Sequence, residues 1–238
     1  LSPTALKAGD NATVTLVFSE AVASFSSAAD ITAAGTAGAS DNGSLATMTT
    51  SDDITWTGTF TPPVNTEEEN NTLYLAASWT DTVGNPGTDN TTSNFEIETK
   101  RPTVSSFTFS VTDNTTFTNS DGIEFPAFKP GDNSTVTLVF SEVVTNFSSA
   151  ANITANNVDL DNMTSNDNIT WTGIFTPTNN TEEDNNTLSL TANSYTDLVG
   201  NTGPARQTVN YVVDTRAPTV SSIVISSATG IQNNLLNV

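Results

Sequence analysis

GDNATVTLVFSE at residues 9–20 returns as GDNSTVTLVFSE at residues 131–142. The chain is therefore a tandem repeat, and the fold of one copy is the fold of both. In the first copy Val14, Leu16 and Phe18 alternate with Thr13, Thr15 and Val17, and in the second Val136, Leu138 and Phe140 alternate with Thr135, Thr137 and Val139. A period of two is that of a strand with one face in a core. Acidic residues stand near both ends of the stretch, Asp10 and Glu20 in one copy and Asp132 and Glu142 in the other.

Outward from this strand, further blocks recur in the same order. ITWTGTF (54–60) matches ITWTGIF (169–175), NTLYLAASWTD (71–81) matches NTLSLTANSYTD (186–197), and NFEIET (94–99) matches NYVVDT (210–215). The offset is 122 at Gly9 and Gly131 but 115 at Trp56 and Trp171, so the first copy carries seven extra residues. They fall in AAGTAGASDNG (33–43), a loop composition in which added length costs little. Repeats of this size, made of short strands and poor in helix formers, predict an all-β protein of immunoglobulin-like sandwiches. The expected division is residues 1–98 as a sandwich lacking its first strand, 99–214 as a complete sandwich, and 215–238 as the first strand of a third. KRPTVSS and RAPTVSS, with Pro102 and Pro218, mark the openings. A chain that starts in mid-pattern without Met reads as a window on a longer array.

Composition excludes several functions. Against 26 acidic residues stand 6 basic ones, a net charge of −20, with no His and no Cys. Such a surface repels nucleic-acid phosphates and anionic lipid, and no apolar run approaches a membrane span. General acid–base and nucleophilic catalysis lack their usual groups, and the carboxylates appear twice, at loops rather than around one cleft. The expectation is a protein that is no enzyme and takes no small-molecule substrate. Trp56 and Trp171, alternating with Gly and Phe, read as core residues, and Trp79, matched by Tyr195, as a residue at a strand end. Asn-x-Ser/Thr triplets occur 12 times, as glycosylation would require, although the composition alone yields many of them.

Strand alternation sorts the acidic residues to two poles. The turn before the GDN strand, the segment TEEEN (66–70) read as a loop, and the end of the last strand at Glu98 fall at one pole. The turn after Glu20, the turn before Trp56, and TDTVGN (80–85) fall at the other. Stacking the second domain on the first should bring Asp10, Glu67 to Glu69 and Glu98 toward Glu142, Asp167, Asp197 and Asn201. Asp81 at the outer pole of the first domain, and Asp132, Glu183 and Asp214 at that of the second, are the matching positions. Crowded carboxylates repel unless a cation intervenes, and an oxygen-only donor set suits calcium. The candidate metal residues are thus Asp10, Glu68, Glu98, Glu142, Asp197, Asn201, Asp81, Asp132, Glu183 and Asp214, with Ca2+ at the joints. No catalytic or organic-cofactor residues are expected.

LKAGDNATVTLVFSEAV, TWTGTFTP, SWTDTVGNPG and the closing (E/D)T-x-x-PTVSS together resemble the bacterial immunoglobulin-like repeats of very large surface adhesins. The resemblance implies an extracellular stalk at the cell surface, with identical repeats as neighbours and calcium stiffening the joints. It also implies that Asp81, Asp197 and Asp214 contribute to calcium sites. Glu98 and Arg101 depart from the Asp and Ala expected in the linker, so the first joint should differ in geometry. The alternative is a self-assembling filament or surface layer, in which residues 218–227 of one molecule complete the first domain of another.

Overall fold

The alternating stretches form strands wherever they can close a sheet over an apolar face. The computed structural model describes residues 5–35, 42–110 and 115–224. In the first domain Ala12–Val17 runs antiparallel to Thr55–Thr61, with Leu16 opposite Trp56 and Ala12 opposite Phe60. Ser44–Leu45 and Thr49–Thr50 pair with the far side of Thr55–Thr61. The facing sheet is built on Glu67–Leu75, which pairs with Ile31–Gly35, with Asn90–Thr91 and with Phe95–Glu98. Ala5–Lys7 joins this sheet parallel to Phe95–Glu98, placing Lys7 beside Glu98.

The second domain repeats the plan. Ser134–Phe140 pairs with Thr170–Pro177, Leu138 opposite Trp171, and Glu124–Phe128 runs parallel to Tyr211–Asp214. Its added element is Val104–Phe109, antiparallel to Ser134–Phe140 with Phe107 opposite Leu138. Among the described residues nothing pairs with the matching outer edge of Ala12–Val17.

That difference shows in the cores. In the second domain Val136 and Leu138 are fully buried in one continuous cluster with Phe107, Phe128, Phe175 and Tyr211. Phe175 lies with its ring centroid 4.8 Å from that of Phe128 and 5.6 Å from that of Tyr211, an arrangement of edge and stacked contacts that aromatic pairs favour. In the first domain Val14 and Leu16 are only half-buried, and the core is split into two clusters.

Trp56 and Trp171 pack against these cores, at 4.9 Å from Phe25 and 4.8 Å from Phe147. Trp79 and Tyr195 take the same place, against Phe18 and Phe140. Gly87 and Gly203 lie flat on those two rings, where an added Cβ would stand 2.2 Å from a ring carbon.

One local expectation is corrected. TEEEN and TEEDN are not loops: they open the strands Glu67–Leu75 and Glu182–Asn186, because their backbones pair with the last strand of each domain while the carboxylates stay in solvent. Each domain also holds one turn of helix, Ser27–Asp30 and Ser149–Asn152. Asp30 and Asn152 accept the backbone N–H of Ser26 and Ser148, and the hydroxyls of Ser27 and Ser149 accept those of Met48 and Met163. Most of the Gly/Ala/Ser-rich insertion, and the expected third-repeat strand beyond residue 224, lie outside the described residues.

Phe175→Ala should cost the second domain about 3–5 kcal/mol, since it empties the centre of an aromatic cluster. Denaturant unfolding followed domain by domain should show the second transition shifted and the first nearly unchanged.

Candidate functional site at the joint between the domains

Sequence order dictates where the two domains meet. The first ends at Glu98 and the second opens its first strand at Val104, so a five-residue connection holds the pole of one against the pole of the other. Facing Glu98 is the turn Asp197–Asn201, whose Gly200 has a φ of +97°, a conformation side chains disfavour. Lys7 lies over that glycine.

Asp197 shapes the turn. It is 2% exposed, and its Oδ1 accepts backbone N–H bonds from Val199 (3.0 Å), Gly200 (2.7 Å) and Asn201 (2.8 Å). Its Oδ2 accepts a bond from Asn201 Nδ2 at 2.7 Å. The Asn201 side chain, thus oriented and 3% exposed, reaches across the joint. Its Oδ1 accepts the backbone N–H of Ala8 at 2.7 Å, and its Nδ2 donates to the carbonyl oxygens of Glu98 (2.7 Å) and Lys100 (3.3 Å). One amide therefore grips two chain segments of the first domain that are themselves neighbours through the parallel pairing of Lys7 with Glu98.

Charge gathers around this grip. Burial, the nearby Glu67 carboxylate, and further out Glu142 and Asp197 push the Glu98 carboxyl up to about 7, against the hydrogen bond it accepts from Lys100 N–H. Burial and then Asp197 and Glu67 also raise Glu142. Lys100 offsets part of this field: its Nζ lies 2.9 Å from Glu67 Oε2, and that bond raises its own pKa.

Of the residues singled out in the sequence, Glu98, Glu142, Asp197 and Asn201 converge here. Asp10 turns back on its own strand, accepting the Lys7 N–H, and Asp132 does the same with Lys129. Glu68 binds the N–H of Asn70. Asp167 is used within its own turn, where N–H bonds from Thr170 and Ile169 hold its carboxyl below the usual range. Asp81 sits at the outer pole of the first domain, and Glu183 and Asp214 near that of the second. Sequence reading missed Lys100, whose single positive charge among many carboxylates gave no motif, and the Ala8 backbone N–H, which composition does not reveal. Among the described residues no group of three or more acidic side chains is drawn close enough to hold a metal ion.

A raised carboxylate pKa means that the folded chain favours the protonated acid, and Glu142 and Asp197, across the joint, contribute to that preference. The contribution of Glu98 to the folded, docked state is therefore full below its ordinary value of 4.5 and is lost as pH climbs through about 7. Asp81 and Asp167, both lowered, act in the opposite sense and only as pH falls below their ordinary 3.8. Thermal unfolding should thus show the domains more strongly coupled at pH 5 than at pH 8, and Glu98→Gln should flatten most of that difference.

A family profile described as a bacterial Ig-like domain matches the chain twice, over residues 1–99 and 98–213. No curated protein matches it.

Proposed function

The chain belongs to the bacterial Ig-like domain family, and we propose that its two domains are rigid spacer units of an extracellular stalk. Domains of this family are structural rather than catalytic and are typically found outside the cell or at its surface. Among the described residues no helix is long and apolar enough to cross a membrane. One observation carries the spacer reading: the Asn201 amide ties the pole of one domain to two backbone segments of the next, across a connection of only five residues. A spacer needs such a joint, because a free hinge would let the string fold back on itself.

Calcium belongs to this reading as a counter-ion. Glu67, Glu98, Glu142 and Asp197 share one field, which the raised pKa values of Glu98 and Glu142 register. The side chains do not form a chelating cage: both Asp197 oxygens are engaged by donors of its own turn, and Glu67 is engaged by Lys100. A divalent cation would act here by neutralising the pole and so relieving the repulsion that opposes docking.

Small-angle scattering tests the spacer reading. The chain should show one long maximum dimension, while Asn201→Ala should shorten and broaden the distribution. Ala8→Pro removes only the N–H donor, and proline is tolerated at the matching Pro130, so it should bend the joint without unfolding either domain. An unchanged profile in both variants contradicts the reading. Calcium added at constant ionic strength should raise the melting temperature of the native chain and not that of Glu98→Gln/Glu142→Gln. An equal gain in both would remove calcium from the joint.

A further inference from the structure

The acidic run that pairs with the last strand of each domain carries a motif that a spacer does not need. TEEENNT at 66–72 returns as TEEDNNT at 181–187. Of the 12 Asn-x-Ser/Thr triplets in the chain, only those at Asn70 and Asn185 have a carboxylate two residues before the asparagine, Glu68 and Glu183. The triplet is the acceptor of N-glycosylation. A carboxylate at that spacing gives the transferring enzyme a charge to pair with.

Both asparagines stand in a β-bulge. Glu68 pairs with Ile97 and Asn71 with Phe95, so Glu69 and Asn70 together face the single residue Glu96, and Asp184 and Asn185 face Val212 in the same way. A bulge re-aims the side chains it carries. The buried amide of Asn71 fixes it, Nδ2 donating to the carbonyls of Glu68 (2.9 Å) and Phe95 (3.1 Å), and Asn186 does the same with Glu183 (2.9 Å) and Tyr211 (3.1 Å). A second amide grips the bulge from the partner strand: Asn94 Nδ2 donates to the Glu69 carbonyl (2.7 Å), and Asn210 Nδ2 to that of Asp184 (2.8 Å). With its inward neighbour clasped, the preceding asparagine is turned out. Asn70 and Asn185 are exposed, and among the described residues neither Nδ2 donates a hydrogen bond. Thr72 and Thr187, whose hydroxyls complete the triplets, are half-buried.

No other described triplet combines the carboxylate, the bulge and the free amide. Asn42 is buried. The Oδ1 atoms of Asn11 and Asn133 accept the hydroxyls of Thr61 (2.9 Å) and Thr176 (3.0 Å), and that of Asn152 accepts the Ser148 N–H (2.7 Å). We propose that Asn70 and Asn185 are N-glycosylation sites, one in each repeat, selected by Glu68 and Glu183 and filled from an oligosaccharide carried on a polyprenyl diphosphate. In the transfer Nδ2 bonds to the anomeric carbon of the oligosaccharide as the bond from that carbon to the diphosphate oxygen breaks. The polyprenyl diphosphate leaves with the electron pair, and the amide gives up one proton. Glu68 and Glu183 meet a cationic side chain of the transferase. In the free chain Glu68 folds back onto the Asn70 N–H at 3.2 Å. The proposal rests on the extracellular reading, because such a lipid-linked donor is used on the outer side of the membrane.

The position suits a hydrophilic chain. Glu182–Asn186 is the outer strand of its sheet, and a glycan on Asn185 covers an edge that would otherwise offer backbone groups to another chain. Asn70 lies three residues, about 10 Å of strand, from Glu67, so its glycan flanks the joint without entering the Asn201 clasp.

Mass-spectrometric peptide mapping of the chain recovered from the organism that makes it tests this. Glycan is expected on both Asn70 and Asn185. Glu68→Gln, expressed in the same organism, should lower occupancy at Asn70 about tenfold and leave Asn185 filled, and Glu183→Gln should do the reverse. The untouched site in each variant reports that the chain still folds and is exported. Occupancy spread over the other exposed triplets and indifferent to both variants overturns the assignment. Bare Asn70 and Asn185 in a chain found at the cell surface overturn glycosylation and leave the spacer reading standing; bare asparagines in a chain that stays in the cytoplasm overturn both.

Discussion

The side chain of Asn201 is the constraint on which the arrangement of this molecule depends. It is a neutral amide in a joint crowded with charge, and it joins the two domains through backbone atoms rather than side chains. That choice has a physical reason. Paired carboxylate and ammonium groups at a surface contribute little and are screened by salt, whereas buried hydrogen bonds contribute about 0.5–1.5 kcal/mol each and cost more than that when one partner is left alone. Asp197 makes the amide effective by spending both its oxygens on the turn that carries it, so the amide is oriented before the neighbouring domain arrives. The joint is thus pre-organised on one side and built of regular strand backbone on the other.

Acidity works against this joint and sets its tuning. Glu98 and Glu142 lie in one field together with Glu67 and Asp197, and Lys100 offsets part of it by pairing with Glu67. A net charge of −20 keeps such a chain soluble and discourages unspecific association, at the expense of repulsion wherever two poles meet. Protons, and by our reading divalent cations, relieve that repulsion. A stalk of these repeats would therefore stiffen or loosen with its surroundings, while each sandwich, held by its aromatic core, stays folded.

The fold was legible because the repeat displayed it twice. The alternation in GDNATVTLVFSE, the matched Trp56 and Trp171, and the substitution of Trp79 by Tyr195 all mark positions that the structure places on corresponding elements of both domains. Four residues of the joint, Glu98, Glu142, Asp197 and Asn201, were legible because strand alternation assigns every turn to a pole. Three things were not. The acidic run 66–70 reads as a loop by composition, yet its backbone pairs with the last strand, which side-chain chemistry does not disclose. The one-turn helices are too short to leave a periodic pattern. The role of Asn201 as a clasp depends on which backbone groups lie across the joint, and those are the same in every sequence.

The central claim is that the two domains are held in one orientation by the Asn201 clasp. The most direct measurement is the distance distribution between two spin labels, one at Thr13 in the first domain and one at Asp159 in the second, both exposed, on a chain with no competing cysteine. The account predicts a single narrow distribution that broadens when Asn201 is replaced by Ala while the sandwiches remain folded. A broad distribution in the native chain, or one that Asn201→Ala leaves unchanged, would contradict it.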